Sequence, residues 1–247
     1  MKMERVFAAA FVVLVSTAII GFSAGDTGAS FTGATTNPNQ SWNTQQVLAP
    51  AAFTSATPKP AGHIDLVWPA TTSPAGSHTL TYLVLRGPVG GPYAQVGTTA
   101  ALTYSDTPPA DGTYEYVIQT KIAQGAGFFT SGNSPVKSSK SDRTAPTVAT
   151  GFSGVKGASA GQITLSWTAG TDGGTGVSGY TIRYVQTGVC PAASVAAYPG
   201  SLSVGAVTTT TLSGLATNAN YCFYFITNDV AGNASANSAV FGPSKTK

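Results

Sequence analysis

Two runs of alternating apolar and polar residues, far apart in the chain, are nearly the same. They are Ile64-Asp65-Leu66-Val67-Trp68 and Ile163-Thr164-Leu165-Ser166-Trp167, with tryptophans 99 positions apart. A period of two places alternate side chains on one sheet face, so each run predicts a strand that turns its Trp and Leu inward. Further apolar runs follow at matching intervals. Tyr82-Leu83-Val84-Leu85-Arg86 begins 14 residues after Trp68, and Tyr180-Thr181-Ile182-Arg183-Tyr184 begins 13 after Trp167. Tyr114-Glu115-Tyr116-Val117-Ile118 then matches Tyr221-Cys222-Phe223-Tyr224-Phe225. Turn signals punctuate both copies: Gly90-Gly91-Pro92 and Asp111-Gly112 in the first, Asp172-Gly173-Gly174 and Ala231-Gly232-Asn233 in the second. Roughly seven short strands per hundred residues, repeated once, predict an all-β chain of two tandem β-sandwiches. The boundaries fall at 51–137 and 146–247, with 138–145 as a linker.

Both halves resemble fibronectin type III domains. In the second copy Trp167 stands on the second strand, Gly179-Tyr180 opens the third, and Leu212-x-x-Leu215 leads to Asn218-x-Asn220-Tyr221. That last stretch resembles the family's tyrosine corner, in which a Tyr hydroxyl ties the crossover between sheets to the next strand. Asp229-Val230-Ala231-Gly232-Asn233 resembles the hairpin turn of bacterial members. The first copy departs from the pattern, with Thr103-Tyr104-Ser105-Asp106 in the region before Tyr114 and no Leu-x-x-Leu. The resemblance covers residues 50–247 and implies two tandem fibronectin type III-like, immunoglobulin-like sandwiches. Their implied core residues are Trp68, Tyr82, Tyr114, Trp167, Tyr180, Leu212, Leu215 and Tyr221. The same sandwich serves as spacer, adhesin or carbohydrate-enzyme appendage, so the fold implies no single function.

The fold order bears on the two cysteines, Cys190 and Cys222. If Tyr221, Phe223 and Phe225 point inward, Cys222 points outward on the sixth strand, and Cys190 follows the third strand, its neighbour in this fold. An even pair in an exported chain is expected to form a disulfide, worth about 3–4 kcal/mol in the chain-entropy model. No His or further Cys lies nearby in sequence, so no zinc site is expected.

Composition narrows the function classes. Only 9% of the 247 residues are charged, against the usual quarter or so, while 35 Thr and 24 Ser supply hydroxyls to keep the surface wet. No Lys/Arg cluster is dense enough to neutralise phosphates, which excludes a nucleic-acid partner. The one charge cluster, Lys137–Thr144, reads as a solvated joint. At the N-terminus Val6–Phe22 is an uncharged, mostly apolar run of 17 residues. As a helix it would span about 25 Å, short of the roughly 30 Å hydrocarbon layer. A cleavable signal peptide is favoured over a retained anchor. Thr27 and Ala29 suit the −3/−1 positions, which makes 1–29 the leader and Ser30 the mature N-terminus. Gly25–Gly33 followed by Thr36–Trp42 resembles the SipW-dependent signal-peptide class, which includes fibre and biofilm-matrix proteins of Gram-positive bacteria. An ordinary signal peptide followed by a polar linker is the alternative. The uncharged arm Ser30–Pro50 carries Phe31, Trp42, Val47 and Leu48. Such an arm can add as a strand to an open sheet edge and promote self-association, fold back on its own domain, or stay disordered.

Parts for catalysis are scarce. Beyond Asp26 the carboxylates are Asp65, Asp106, Asp111, Glu115, Asp142, Asp172 and Asp229, and short sandwich loops offer no cleft for a facing glycosidase pair. Asp172 and Asp229 fall on loops at one end of the sandwich. Calcium there would need six to eight oxygens, whereas Asx-turns beside glycine account for both residues without metal. His63 and His78 have no nucleophile elbow or HExxH motif beside them. Tyr93, Phe128, Phe129 and Tyr198 fall in predicted loops or strand edges, as candidates for ligand stacking or as half-buried edge residues. Asn39 and Asn233 sit in sequons that carry little weight in a bacterium. The expected protein is therefore non-catalytic, with no cofactor or metal, secreted or surface-bound in a Gram-positive bacterium. Its expected partners are proteins, cell-wall or matrix polymer, or copies of itself, with the membrane met only during export. The alternative is a carbohydrate-binding accessory module of secreted polysaccharide-active enzymes.

Overall fold

The structure, a computed structural model, describes residues 28–29, 47–50, 52–72, 79–124 and 127–247. The apolar run Val6–Phe22, Ser30, residues 31–46 of the arm and His78 lie outside these. Among the described residues no helix is long and apolar enough to cross a membrane.

The chain is all-β. Its first strands are β1 (Gly28–Ala29), β2 (Val47–Leu48), β3 (Ser55–Pro58), β4 (Ile64–Val67), β5 (Leu80–Gly87), β6 (Ala94–Thr99) and β7 (Thr103–Asp106). They continue as β8 (Gly112–Gln124), β9 (Gly127–Thr130), β10 (Lys137–Ser141), β11 (Thr150–Lys156) and β12 (Ile163–Thr168). The last are β13 (Val177–Gln186), β14 (Gly200–Gly205), β15 (Thr209–Leu212), β16 (Asn220–Asp229) and β17 (Phe241–Lys245). The sheets run β1-β2, β3-β4-β7, β10-β8-β5-β6 with β9 on β8, β11-β12-β15, and β14-β13-β16-β17. Contacts divide the chain into a first unit of residues 1–56, 66–104 and 115–138, and a second of 57–65, 105–114 and 139–247.

In the first unit β5 pairs antiparallel with β6 and β8, and β8 with β9. Trp68 is 1% exposed and meets Phe53 and Tyr82 edge-on, at 6.1 and 5.7 Å between ring centroids. The Tyr82 hydroxyl accepts the Thr71 N–H at 3.2 Å, so the one polar atom of that ring is used. Tyr114, expected in the core, is only half-buried, and its hydroxyl donates to the Ala110 carbonyl at 3.1 Å. Tyr116, two residues further along the same strand face, fills the core instead. Ala29 pairs with Val47 in the short β1-β2 ladder.

In the second unit β11-β12-β15 and β14-β13-β16-β17 contribute the residues of one core. Ile163, Leu165 and Trp167 come from β12, Tyr180 and Ile182 from β13, and Tyr221, Phe223 and Phe225 from β16. The Trp167 ring lies 5.3 Å from Tyr180 and 5.1 Å from Phe225. Leu212 is buried and Leu215 half-buried against this cluster. Tyr221 forms the corner: its hydroxyl accepts the Ala216 N–H at 3.0 Å and donates to Gln186 Oε1 at 3.2 Å. Asn218, at φ 54°, makes the left-handed bend that brings the chain round to it. On the other face of β12 the hydroxyls pair across strands, Thr164 with Thr211 at 3.0 Å and Ser166 with Thr209 at 3.4 Å.

Both units repeat a device that the apolar pattern does not reveal. After β9, Ser131 and Ser134 accept the backbone N–H of Thr120 and Ile118 through their hydroxyls, each at 2.9 Å. Their own N–H groups donate back to the carbonyls of Thr120 and Ile118. After β16, Ser235 and Ser238 do the same for Thr227 and Phe225. Side-chain oxygens thus satisfy buried strand N–H groups where the neighbouring backbone has turned away.

The expected solvated joint is also different. Lys137–Ser141 is strand β10, and Ser141 and Asp142 are 0% and 1% exposed. The first part of this run continues the sheet and Asp142 turns its carboxylate inward, which local hydrophilicity cannot reveal.

Truncating Trp167 to Ala should cost about 3–5 kcal/mol, as expected for a large aromatic removed from a sealed core. Ser238→Ala should cost about 1–3 kcal/mol, because the buried Phe225 N–H loses its acceptor. Urea unfolding followed by tryptophan fluorescence for the Ser variant, and by circular dichroism for both, checks these values.

Candidate functional site

Three carboxylates converge in the second unit. Asp142 follows β10, Asp172 lies on the β12–β13 loop, and Asp229 ends β16; one oxygen of each lies within 4.8 Å of the others. Asp142 and Asp229 are 1% and 2% exposed, Asp172 half-buried. Donors from the chain hold each one. Asp142 Oδ2 accepts Thr175 N–H at 2.6 Å and its hydroxyl at 2.8 Å, while Oδ1 accepts Thr144 N–H at 3.1 Å. Asp172 Oδ2 accepts Gly176 N–H at 2.6 Å. Asp229 takes the backbone N–H and side-chain amide of Asn233, both at 2.7 Å. Gly174 lets the loop close over Asp142, since a Cβ there would lie 2.0 Å from Oδ2.

Asx-turns are the expectation for Asp172 and Asp229, but their carboxylates reach four residues on, to Gly176 and Asn233, and the two-residue spacing of an Asx-turn occurs instead at Asp142 with Thr144. Asp142, read from the sequence as part of a solvated charge run, is the member that reasoning missed. Asn233 is also engaged: its amide donates to Asp229 Oδ2 and to the Asp142 carbonyl at 3.1 Å, so it is a brace rather than a free sequon side chain.

What this cluster can do chemically is limited by its burial. Retaining glycosidases hold two carboxyls about 5–5.5 Å apart on either side of a scissile bond. The spacing here is comparable, but two of the three acids are sealed from solvent and all but Asp172 Oδ1 accept hydrogen bonds from the chain. Beside the cluster a shallow cavity of about 290 Å³ is lined by Asp111, Gly112, Lys140, Asp142, Thr144, Gly173 and Gly174. Lys140 closes one side by donating to the Gly173 and Gly174 carbonyls. Arg143 bonds the lining residue Asp111 at Oδ1, at 2.8 Å through its guanidinium and at 3.1 Å through its backbone N–H. The Arg143 side chain holds the Asp111 carboxyl below the ordinary carboxylate range. His63, the described histidine, meets Thr107 Oγ1 at 2.8 Å, a contact with no nucleophile or base arrangement around it.

Cys190 and Cys222 form a disulfide. Cys222 points away from the core, as the alternation along β16 requires, yet it is 0% exposed. The reason is a second, smaller cluster on the outer face, formed by Tyr198, Cys222 and Tyr224, with Val185, Cys190 and Val240 at its margin. Tyr198, expected at the surface, is buried there, edge-on to Tyr224 at 4.9 Å. Desolvation, with the neighbouring Tyr224, pushes its phenol above the ordinary value. Of the other aromatic candidates, Tyr93 is half-buried and donates to Glu115 Oε2 at 2.7 Å, and Phe129 is half-buried. Phe128 is 59% exposed, with the Lys121 ammonium 4.1 Å from its ring centroid. Among the described residues it is the one exposed aromatic.

Comparison with known proteins agrees with this architecture. Residues 145–241 match the family described as fibronectin type III domain. Chitinase A1 of Niallia circulans is 33% identical over 181 residues, 71% of this chain and 23% of that protein. Exoglucanase A of Cellulomonas fimi is 38% identical over 102 residues, 40% of this chain and 10% of that protein. The chain thus spans a quarter or less of the length of the curated relatives it matches. The FN1–FN3 domains of chicken CNTN1 share the fold, with a TM-score of 0.54 at 22% identity over 81% of this chain and 68% of that one.

Removing the guanidinium by Arg143→Met should raise the Asp111 pKa toward the ordinary value. Asp111 is lower in the folded chain, so its contribution to stability is present above the unfolded pKa and fades as pH falls through the folded one. In the variant that acid-side loss of stability should shrink, the Arg143 N–H and Thr144 hydroxyl still holding part of it. Carboxyl NMR titration and acid unfolding curves of the two proteins check this.

Proposed function

We propose that this chain is a non-catalytic, extracellular bacterial module of fibronectin type III-like sandwiches that works by contact at the cell surface or in its matrix. The observation that carries this reading is the state of its carboxylates: among the described residues the one close group has two of its three acids buried and all three hydrogen-bonded within the chain. A surface maintained by hydroxyls rather than charge suits contact with proteins and wall polymer. The disulfide fits an oxidising compartment outside the cytoplasm, and the apolar leader fits export. The resemblance of residues 25–42 to signal peptides of matrix proteins supports a Gram-positive source.

A second reading is favoured by the relatives, whose names give chitin and glucan as what they act on. There the chain would be an accessory module beside polysaccharide-active enzymes. Sugar-binding faces stack rings on exposed aromatics, and Phe128 alone does not make such a row. The contact reading is therefore preferred.

Purified chain should co-sediment with isolated Gram-positive cell walls or matrix and release no reducing sugar from chitin or cellulose. Retention on chitin or cellulose with no binding to walls would give the accessory reading instead. Hydrolysis of either polymer would overturn both.

A further inference from the structure

We propose that residues 187–199 are a strap over the outer face of the β14-β13-β16-β17 sheet and that the Cys190–Cys222 bond is its latch, so that a dithiol reductant opens the strap without unfolding the sandwich. The first indication is length. β13 and β14 are direct neighbours, a pairing that two residues can join, yet 13 residues lie between Gln186 and Gly200. The excess chain folds back toward β16, where Cys190 meets Cys222 and Tyr198 meets Tyr224.

The strap is organised within itself but weakly fastened. Internally the Tyr198 hydroxyl donates to the Pro191 carbonyl at 2.8 Å, and the Tyr198 N–H to the Ser194 carbonyl at 3.1 Å. Outward, among the described residues, its hydrogen bonds are the base bond Thr187 N–H to Asn220 O at 3.0 Å and Asn237 Nδ2 to Ala193 O at 3.3 Å, beside the disulfide and the small apolar cluster in which Tyr198 meets Tyr224 and Ala193 and Ala197 pack.

What lies on the covered face argues that closure needs a latch. The Tyr224 hydroxyl is buried and has no hydrogen-bond partner. Arg183, directly opposite Tyr224 in the β13–β16 register, has a buried Nε with none either. Covering them removes water and returns no bond, which opposes the closed position. The main core uses the opposite face of β16, so opening the strap leaves it packed.

The chemistry follows from exposure. Cys190 is half-buried and Cys222 fully buried, so an incoming thiolate attacks the Cys190 sulfur. The S–S bond breaks, Cys222 leaves as a thiolate and takes up a proton, and Cys190 carries a mixed disulfide. The second thiol of the reductant then attacks it, releasing the Cys190 thiol. The chain gains two electrons and two protons, and the reductant becomes a disulfide.

The test uses the full chain with dithiothreitol under native conditions, beside the Cys190→Ser/Cys222→Ser double variant. Thermolysin should cut before Val189 or Val195, which are 81% and 60% exposed, at least tenfold faster once the latch is gone. Hydrogen exchange at Ala197 and Tyr198 should rise, while Ile163–Thr168 and Phe225 stay protected in both forms. Unchanged cleavage and exchange in the strap would overturn the proposal, as would a bond that resists reduction in the folded chain. Loss of protection throughout residues 150–247 would also overturn it, since the bond would then hold the fold rather than the strap.

Discussion

Strand β16 is buried on both faces, and the second unit is arranged around that fact. Tyr221, Cys222, Phe223, Tyr224 and Phe225 are consecutive, and none is more than 6% exposed. Antiparallel strands in a sandwich commonly cover one face and wet the other. Here the odd-numbered side chains face the β11-β12-β15 layer, and the even-numbered ones need a cover of their own. The long β13–β14 connection supplies it. Beyond β16 the chain makes a tight turn held by Asp229 and Asn233, and Ser235 and Ser238 clamp its inner N–H groups before β17 takes up pairing.

The parts of this that the sequence discloses are those with a local rule behind them. Trp68 and Trp167 declare themselves through period-two alternation, and the Tyr221 corner through its spacing from Leu212. The outward turn of Cys222 follows from parity along its strand, and its partner Cys190 from the strand order that the family resemblance implies. Tyr114 was placed on the right strand and the right side, but it stands at the strand's start, where its hydroxyl reaches back to Ala110 and its ring stays half out. Tyr198 was out of reach for a different reason. It follows the stretch Pro191-Ala192-Ala193-Ser194-Val195-Ala196-Ala197, which has no periodicity, and it is buried against Tyr224 and Cys222 of a strand distant in sequence. Asp142 was hidden by charged neighbours, although its own oxygens turn inward to Thr144 and Thr175. The serine clamps could have been found: Ser131/Ser134 and Ser235/Ser238 share one spacing and stand 104 residues apart, close to the interval of the tryptophans.

The acidic cluster shows why residue type alone misleads about chemistry. Three aspartates with oxygens within 4.8 Å of one another resemble reactive machinery in outline. Their donors are backbone and amide N–H groups from tight turns and the Thr175 hydroxyl, which hold the anions in place. The same residues that would be read as catalytic in a groove act here as fasteners where several loops meet. The proposed contact role rests on that arrangement rather than on the presence or absence of acidic residues.

The cross-strand hydroxyl pairs, Thr164 with Thr211 and Ser166 with Thr209, have a bearing on where such a chain can work. Neutral hydroxyls bind water through dipoles, which dissolved ions screen little, whereas a charged surface feels salt within a Debye length of about 8–10 Å. With 9% charged residues, the hydration of this exterior changes little between dilute and concentrated electrolyte. A cell wall or matrix crowded with ionic polymer is then an ordinary solvent for it, neither gathering the protein by charge nor driving it away.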